Sequence, residues 1–302
     1  MIYRLYPVCK NYIWGGTRLP SEYGKHSDQT PVAESWELSC HPDGPTALAD
    51  GRTLYDLERT LWGENCRRFA DFPMLIKLID AAQSLSVQVH PDDAYALENE
   101  QSFGKTEMWY IVDAEKGAGI YLGFSRDVSR EEVERAIATG TLCELMNFFP
   151  VKKGECYFIP AGTIHAIGAG CLICEVQQNS NLTYRVFDYN RRDKNGNLRE
   201  LHIEKALRVL NYKKYEKAAP SAPVSGEEVL ASCPYFHATR LVVRGNDEIL
   251  VGKESFKCLT CVCGEGRIGE HAVRPGDSLF ACAGTGSVAL QGEMELICAE
   301  VR

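Results

Sequence analysis

Apolar residues along this chain fall mostly into short runs of strand length, some alternating with polar positions and some continuous, each closed by a turn-forming residue. Runs at 33–39, 74–80, 84–90, 108–113, 156–159 and 172–177 read as strands, most of them bounded by Gly, Pro, Asn or Asp. Helical spacing is confined to 53–69, to 129–147 with its Ser129-x-x-Glu132 opening, and to 201–210. The pair Asn195-Gly196 predicts a tight hairpin, because a type I′ turn needs positive φ at both central residues. Many short strands with few helices predict a mainly β protein of the sandwich or small-barrel kind.

Between 213 and 226 the periodicity stops, and charge, Pro, Ala and Ser mix without pattern. We read this stretch as a linker between a first unit over 1–212, with its N-terminal strands and short helices, and a second, shorter β unit over 227–302. The second unit looks like a worn copy of the first. Gly276 falls opposite Gly154, Thr285 opposite Thr163, and an apolar strand follows in both. His165 falls opposite Ser287, so any metal chemistry that uses His165 belongs to the first unit alone.

Composition narrows the class of partner. The chain has 302 residues, of which 45% are hydrophobic and 25% charged, and its net charge of −8 supplies no basic face for a nucleic acid or an anionic membrane. A few buried Lys and Arg can still bind a small anion. The N-terminal stretch lacks the pattern of a signal peptide, and no run approaches the roughly 18 apolar residues of a membrane span, so a cytoplasmic protein is expected. The 13 cysteines are read as small buried apolar residues rather than disulfides. Cys171 with Cys174, and Cys258 with Cys261 and Cys263, have zinc-like spacings, but they lie in apolar strand runs and are read as core.

Three polar features interrupt the apolar pattern. Gln88 and His90 are two apart in an apolar strand and project from one face. Glu107 stands immediately before a strongly apolar strand, where a carboxylate is ordinarily solvated. The third is Gly154, then Pro160-x-Gly162-x-x-His165, in which the glycines permit a tight hairpin and the histidine opens the next strand. Jointly they offer two imidazoles, a carboxylate and an amide oxygen, a set suited to a divalent ion such as Zn²⁺ with positions left open for water or substrate.

The spacing from Gly154 to His165 resembles the second cupin motif, with Ala169 where many cupins carry Asn. The segments LSVQVHPDD (85–93), GKTEMWYI (104–111), IPAGTIHAIG (159–168) and TYRVFDYNRRD (183–193) are together similar to type I phosphomannose isomerases of the short bacterial form. The likeness extends from the IWGG and AESWELS segments to the C-terminal repeat. It implies two cupin-like units of jelly-roll or β-barrel form with a few helices, the second degenerate. The metal ligands it implies are Gln88, His90, Glu107 and His165, holding one Zn²⁺ or another divalent ion. The active-site arginine it implies is Arg185, and it places Lys77, Lys105 and Glu175 in the pocket.

The activity implied is interconversion of mannose 6-phosphate and fructose 6-phosphate through an enediolate, in a monomer or homodimer. In that reaction Arg185 and Lys105 would steady developing negative charge, Lys77 would complete the substrate pocket with Arg185, and Glu175 or a hydroxide held by the metal would be the base. Burial of Glu175 is expected to raise its pKa toward neutrality. Residue by residue, blander roles compete: Lys77 as a polar outer-face position, Lys105 as a loop lysine paired with Glu107, and Arg185 with its stem turned outward. A dioxygenase-type metal cupin and a non-catalytic sugar-phosphate sensor are the rival functions.

Overall fold

The computed structural model describes residues 1–192, 196–217 and 227–302. Its strands form three antiparallel sheets. Two of them face each other and make the first unit. One runs Val8–Lys10, Glu34–Leu38, Met74–Ala81, Cys171–Gln178, Glu107–Ala114 and Cys156–Ile159, and the other runs Tyr184–Phe187, Val87–Val89, His165–Ile167, Gly119–Phe124 and Met146–Pro150. The seven-stranded third sheet carries the long strands His237–Val251, Lys257–Ile268 and Gly286–Glu300. This is the mainly β architecture expected from the strand pattern, and the two facing sheets agree with the cupin form that the resemblance implied. No helix among the described residues is long and apolar enough to cross a membrane.

The six-stranded sheet is covered on both faces, which explains its continuous apolar runs. Met74, Ile76 and Leu78 pack outward with Met108, Val112 and Val176 against Phe280 and Ile297 of the third sheet and Phe236, which immediately precedes its strand His237–Val251. Ile79, Ala81, Trp109, Ile111 and Ile173 point the other way, toward Ile120 and Leu122 of the facing sheet. Because successive side chains alternate, the inward row of the strand Met74–Ala81 contains Lys77, and that of Cys171–Gln178 contains Glu175. Lys77 is therefore not an outer-face lysine; it is 4% exposed. The outer face of the five-stranded sheet is closed by helices, where Val87, Val89 and Tyr184 meet Val133, Ala206 and Leu207.

The two units share more than a linker. The N-terminal strand Ile2–Arg4, expected with the first unit, pairs with Ser278–Ala281 in the third sheet. Between the units Glu37 is bonded to Ser35 at 2.7 Å, Ser278 at 2.9 Å and Lys25 at 2.7 Å, all four side chains being buried.

Helical expectations hold in part. The stretch 53–69 is three separate 3₁₀ turns, Leu54–Asp56, Arg59–Trp62 and Glu64–Arg68. The chain breaks at Gly63, whose φ of 100° and close approach to Ser255 exclude a side chain, and Glu64 and Asn65 then donate to the carbonyls of Lys253 and Glu254. Within 129–147 the helix covers Arg130–Thr139, Ser129 accepting from the Glu132 N–H, and Gly140 ends it in the left-handed conformation before a 3₁₀ turn and the strand Met146–Pro150. A helix over Ile203–Val209 answers to 201–210. Helices at Arg18–Tyr23 and Asp93–Glu100 had no periodic signal. Asn195 of the expected hairpin and 218–226 of the expected linker lie outside the described residues.

Neither cysteine spacing makes a cluster. All 13 cysteines are free, and Cys171 and Cys174 point to opposite faces of one strand, into different cores. Ser287, opposite His165 in the repeat, is exposed and donates to Glu248 at 2.8 Å.

Candidate metal centre and active site

Strand register assembles the site. On the five-stranded sheet Arg185, Gln88 and His165 lie in one row, as direct partners across three strands. Facing them on the six-stranded sheet is a second row of Trp36, Lys77, Glu175 and Trp109. Glu107 begins its strand opposite Gln177. The Pro160-to-His165 turn closes through Thr163 N–H to the Pro160 carbonyl at 3.1 Å, and the Gly162 N–H reaches the His90 carbonyl at 2.8 Å, tying the two histidine motifs together. Gly162 has φ of 83° with the Val209 carbonyl beside it, so glycine is required there.

His90, Glu107 and His165 converge as a buried group whose ligand atoms all lie within 4.8 Å of one another. His90 donates from Nδ1 to the Leu182 carbonyl and His165 from Nδ1 to the Thr163 carbonyl, each at 2.8 Å. Both rings are thereby fixed with the Nε2 lone pair toward Glu107, at 3.6 Å from Oε2 for His90 and 3.3 Å from Oε1 for His165. Lone pairs aimed at a carboxylate repel it, and a cation between them reverses the sign of the interaction. His90 Nε2 and both oxygens of Glu107 have no hydrogen-bond partner among the described residues, although Lys105 Nζ forms an ion pair with Oε2 at 2.7 Å. The Gln88 amide lies 3.3 Å from His165 Nε2, and a half-turn of that amide presents its oxygen instead of its nitrogen. These four side chains fit a divalent ion, and Glu107, at a position where a carboxylate is ordinarily solvated, is fully buried.

Charge around this group is dense. Lys77 Nζ lies 3.6 Å from Glu34 and 3.5 Å from Glu175, and Lys105 Nζ lies 3.8 Å from Glu175. Trp109 donates its indole N–H to Glu175 Oε1 at 2.9 Å, leaving Oε2 without a hydrogen bond. Burial by itself pushes the Glu175 carboxyl up, but Lys105, Lys77 and the Trp109 N–H outweigh it and hold the group ionised, below the usual carboxylate range. This reverses the expected upward shift, which considered burial without the two ammonium groups. Glu107, by contrast, is pushed up by burial beyond what Lys105 returns.

Burial lowers His90 well below the ordinary imidazole range and His165 to about 4. A depressed histidine stabilises the fold at pH above its unfolded value near 6.5, and that contribution is lost as pH falls toward the folded value. Urea unfolding of the metal-free protein should therefore show stability falling between about pH 6.5 and about 4. The slope should be shallower in His165→Gln; an equal slope would mean that His165 is not the titrating group.

A cavity of about 240 Å³ opens beside the metal-ligand group, lined by Lys77, Gln88, Lys105, Glu175 and Arg185 among others. Every residue expected at the site either lines this cavity or belongs to the adjoining group. Arg185 does not point outward: its Nη1 donates to the Glu200 carbonyl at 2.8 Å and its Nε is buried. The sequence reading did not single out Tyr12, Glu34 or Arg199, which also line the cavity. Glu34 carried a legible signal, since a carboxylate in the fully buried run Glu34–Leu38 needs partners, here Lys77 and the Trp36 indole N–H at 2.7 Å. Tyr12 and Arg199 lie outside any regular element and carried none. A larger shallow groove of about 670 Å³ beside Arg267, Arg274 and Gln291 belongs to the third sheet, and among the described residues it contains no group of metal ligands.

Comparison with known proteins matches residues 2–118 to the family model described as "Phosphomannose isomerase type I, catalytic domain" and residues 227–301 to "Mannose-6-phosphate isomerase, cupin domain". The chain is 38% identical over 299 residues to a mannose-6-phosphate isomerase of Streptococcus mutans, covering 94% of this chain and 93% of that one. It is 36% identical over 312 residues to mannose-6-phosphate isomerase ManA of Bacillus subtilis, covering 96% of each. A crystal structure of the mannose 6-phosphate isomerase from Bacillus subtilis superposes with a TM-score of 0.90 at 33% identity, over 99% of both chains.

Proposed function

The chain belongs to the type I phosphomannose isomerase family, and we propose that it interconverts D-mannose 6-phosphate and D-fructose 6-phosphate with one zinc ion held by Gln88, His90, Glu107 and His165. The observation that carries this reading is the cavity, lined by Lys77, Lys105 and Arg185, that opens beside the candidate metal-ligand group. A sugar phosphate needs both parts: a Lewis acid for its neighbouring oxygens and fixed cations for its anionic groups. The reading includes the division into a catalytic unit over 1–212 and a supporting unit over 227–302, and a cytoplasmic location, which the free cysteines favour.

The isomerisation moves one proton from C2 to C1 and one from O2 to O1, through an enediolate. A divalent ion at these ligands supplies Lewis acidity toward the C1 and C2 oxygens. Lys105, paired with the Glu107 carboxylate and lining the cavity, adds a positive charge beside the reacting oxygens. Arg185 projects from the row that also holds Gln88 and His165, and clamps the anionic substrate against them. Lys77 closes the opposite wall.

Glu175 takes the C2 proton on Oε2, the oxygen that Trp109 does not hold and that faces Lys77 at 3.5 Å. In the resting site its two ammonium neighbours make it a weak base. When Lys77 and Lys105 turn toward substrate oxygens, that restraint relaxes and basicity returns. Its burial excludes water, so the accepted proton can be handed to C1 of the same molecule.

A coupled assay for fructose 6-phosphate formed from mannose 6-phosphate tests the function directly, and the absence of conversion by zinc-loaded protein would overturn it. Glu175→Gln should lower kcat by roughly 10²- to 10⁴-fold with metal content unchanged. Turnover within a fewfold of the parent would remove Glu175 from the role of base.

A further inference from the structure

Arg185 is gripped from outside the cavity by the segment Glu200 to His202. Its backbone N–H donates to His202 Nδ1 at 3.2 Å, the His202 N–H donates back to the Arg185 carbonyl at 2.7 Å, and its Nη1 donates to the Glu200 carbonyl. A backbone N–H can only donate, so the first of these bonds identifies Nδ1 of His202 as a lone-pair acceptor. The strand Tyr184–Phe187 is the edge of its sheet, with Val87–Val89 on one side only. An N–H directed away from that neighbour has no strand to pair with, and the imidazole takes the place of one.

The ring is itself fixed. It packs on Tyr184 with ring centroids 6.3 Å apart, and the Tyr184 hydroxyl donates to Glu100 at 2.8 Å, where Lys205 also pairs at 2.7 Å. His202 immediately precedes the helix Ile203–Val209, whose Ala206 and Leu207 are buried beneath the same sheet. A rigid helix thus carries the acceptor that sets the backbone from which the guanidinium reaches the cavity. His202 is not among the residues lining the cavity, and it belongs neither to the metal-ligand group nor to the charge cluster around Glu175.

We infer that His202 is a positioning residue for the isomerisation, acting through Arg185 by means of its Nδ1 acceptor. The inference rests on the reading of Arg185 as the substrate clamp. Losing the acceptor orphans the Arg185 N–H and frees the strand edge to shift, and small displacements of a clamp cost rate.

The test is a set of zinc-loaded variants. His202→Leu keeps the volume and removes the acceptor, whereas His202→Asn places an amide oxygen at the same bond distance from the backbone as Nδ1. We expect His202→Leu to lose about tenfold in kcat/KM, the cost of a slightly misplaced clamp, and His202→Asn to recover most of it. A merely structural role would not produce the second readout: in an Arg185→Ala background, His202→Leu should cost nothing further in kcat/KM. Additive losses, or a His202→Leu enzyme as active as the parent, would overturn the inference while leaving the clamp intact. If Arg185→Ala alone keeps full activity, the reading of the clamp falls and this inference with it. Should His202→Leu not fold, His202→Gln, whose acceptor lies one bond further out, gives the same contrast with His202→Asn.

Discussion

Chelation should abolish the conversion of mannose 6-phosphate to fructose 6-phosphate, and added zinc should restore it. The expected loss is roughly 10³-fold or more, since Lewis-acid stabilisation of the transition state is worth several kcal/mol. The basis is the electrostatics of the ligand group: two imidazoles locked by the Leu182 and Thr163 carbonyls aim lone pairs at a buried carboxylate whose one ionic partner among the other described side chains is Lys105. Such a group is stable as a cation site and poorly matched to anything else. His165→Ala should lose activity to the same degree and show no recovery with zinc at concentrations that restore the chelated parent. Metal content after dialysis, read by atomic absorption, should be near zero in that variant and near one per chain in the parent. Full turnover in chelator would exclude metal assistance.

Arg185→Ala should reduce kcat/KM by roughly 10²- to 10³-fold, the usual cost of removing one preorganised charge from a desolvated site. The metal should stay bound, because among the described residues Arg185 makes no hydrogen bond or ion pair with the four ligand side chains and pairs with Gln88 through the backbone ladder. Arg185→Lys should recover little: an ammonium cannot make the Glu200 carbonyl bond with the same geometry and still present a planar fork to an anion. Steady-state kinetics with mannose 6-phosphate separates the alternatives. A rise in KM alone would assign Arg185 to ground-state binding of the phosphate, and an equal fall in kcat and kcat/KM would assign it to the reacting oxygens.

Much of the site was legible because strands impose a period of two. Gln88 and His90 could be placed on one face from spacing alone, and the glycines around Pro160 announced the turn that presents His165. The same rule left Lys77 and Glu175 ambiguous. Alternation puts a side chain on one of two faces, but only the packing of Phe236, Phe280 and Ile297 against the outer face shows that both are dry and that the polar row faces inward. The helical reading of 53–69 failed for a related reason. Its apolar spacing was real, but Gly63 and the backbone of Glu254 and Ser255, distant in sequence, divert the chain into short turns.

By itself the sequence determined the β character and, through resemblance, the family. Those properties reside in residue identity and local spacing. Tertiary structure alone decided that Ile2–Arg4 completes the far sheet, that Tyr12, Glu34 and Arg199 join the cavity, and that His202 grips Arg185. It also decided the ionisation of Glu175: burial alone would have raised it, and the placement of Lys77 at 3.5 Å, Lys105 at 3.8 Å and the Trp109 N–H at 2.9 Å reverses the sign. A carboxylate's charge state is a sum over neighbours that strand pairing brings together, and no single segment of chain contains that sum.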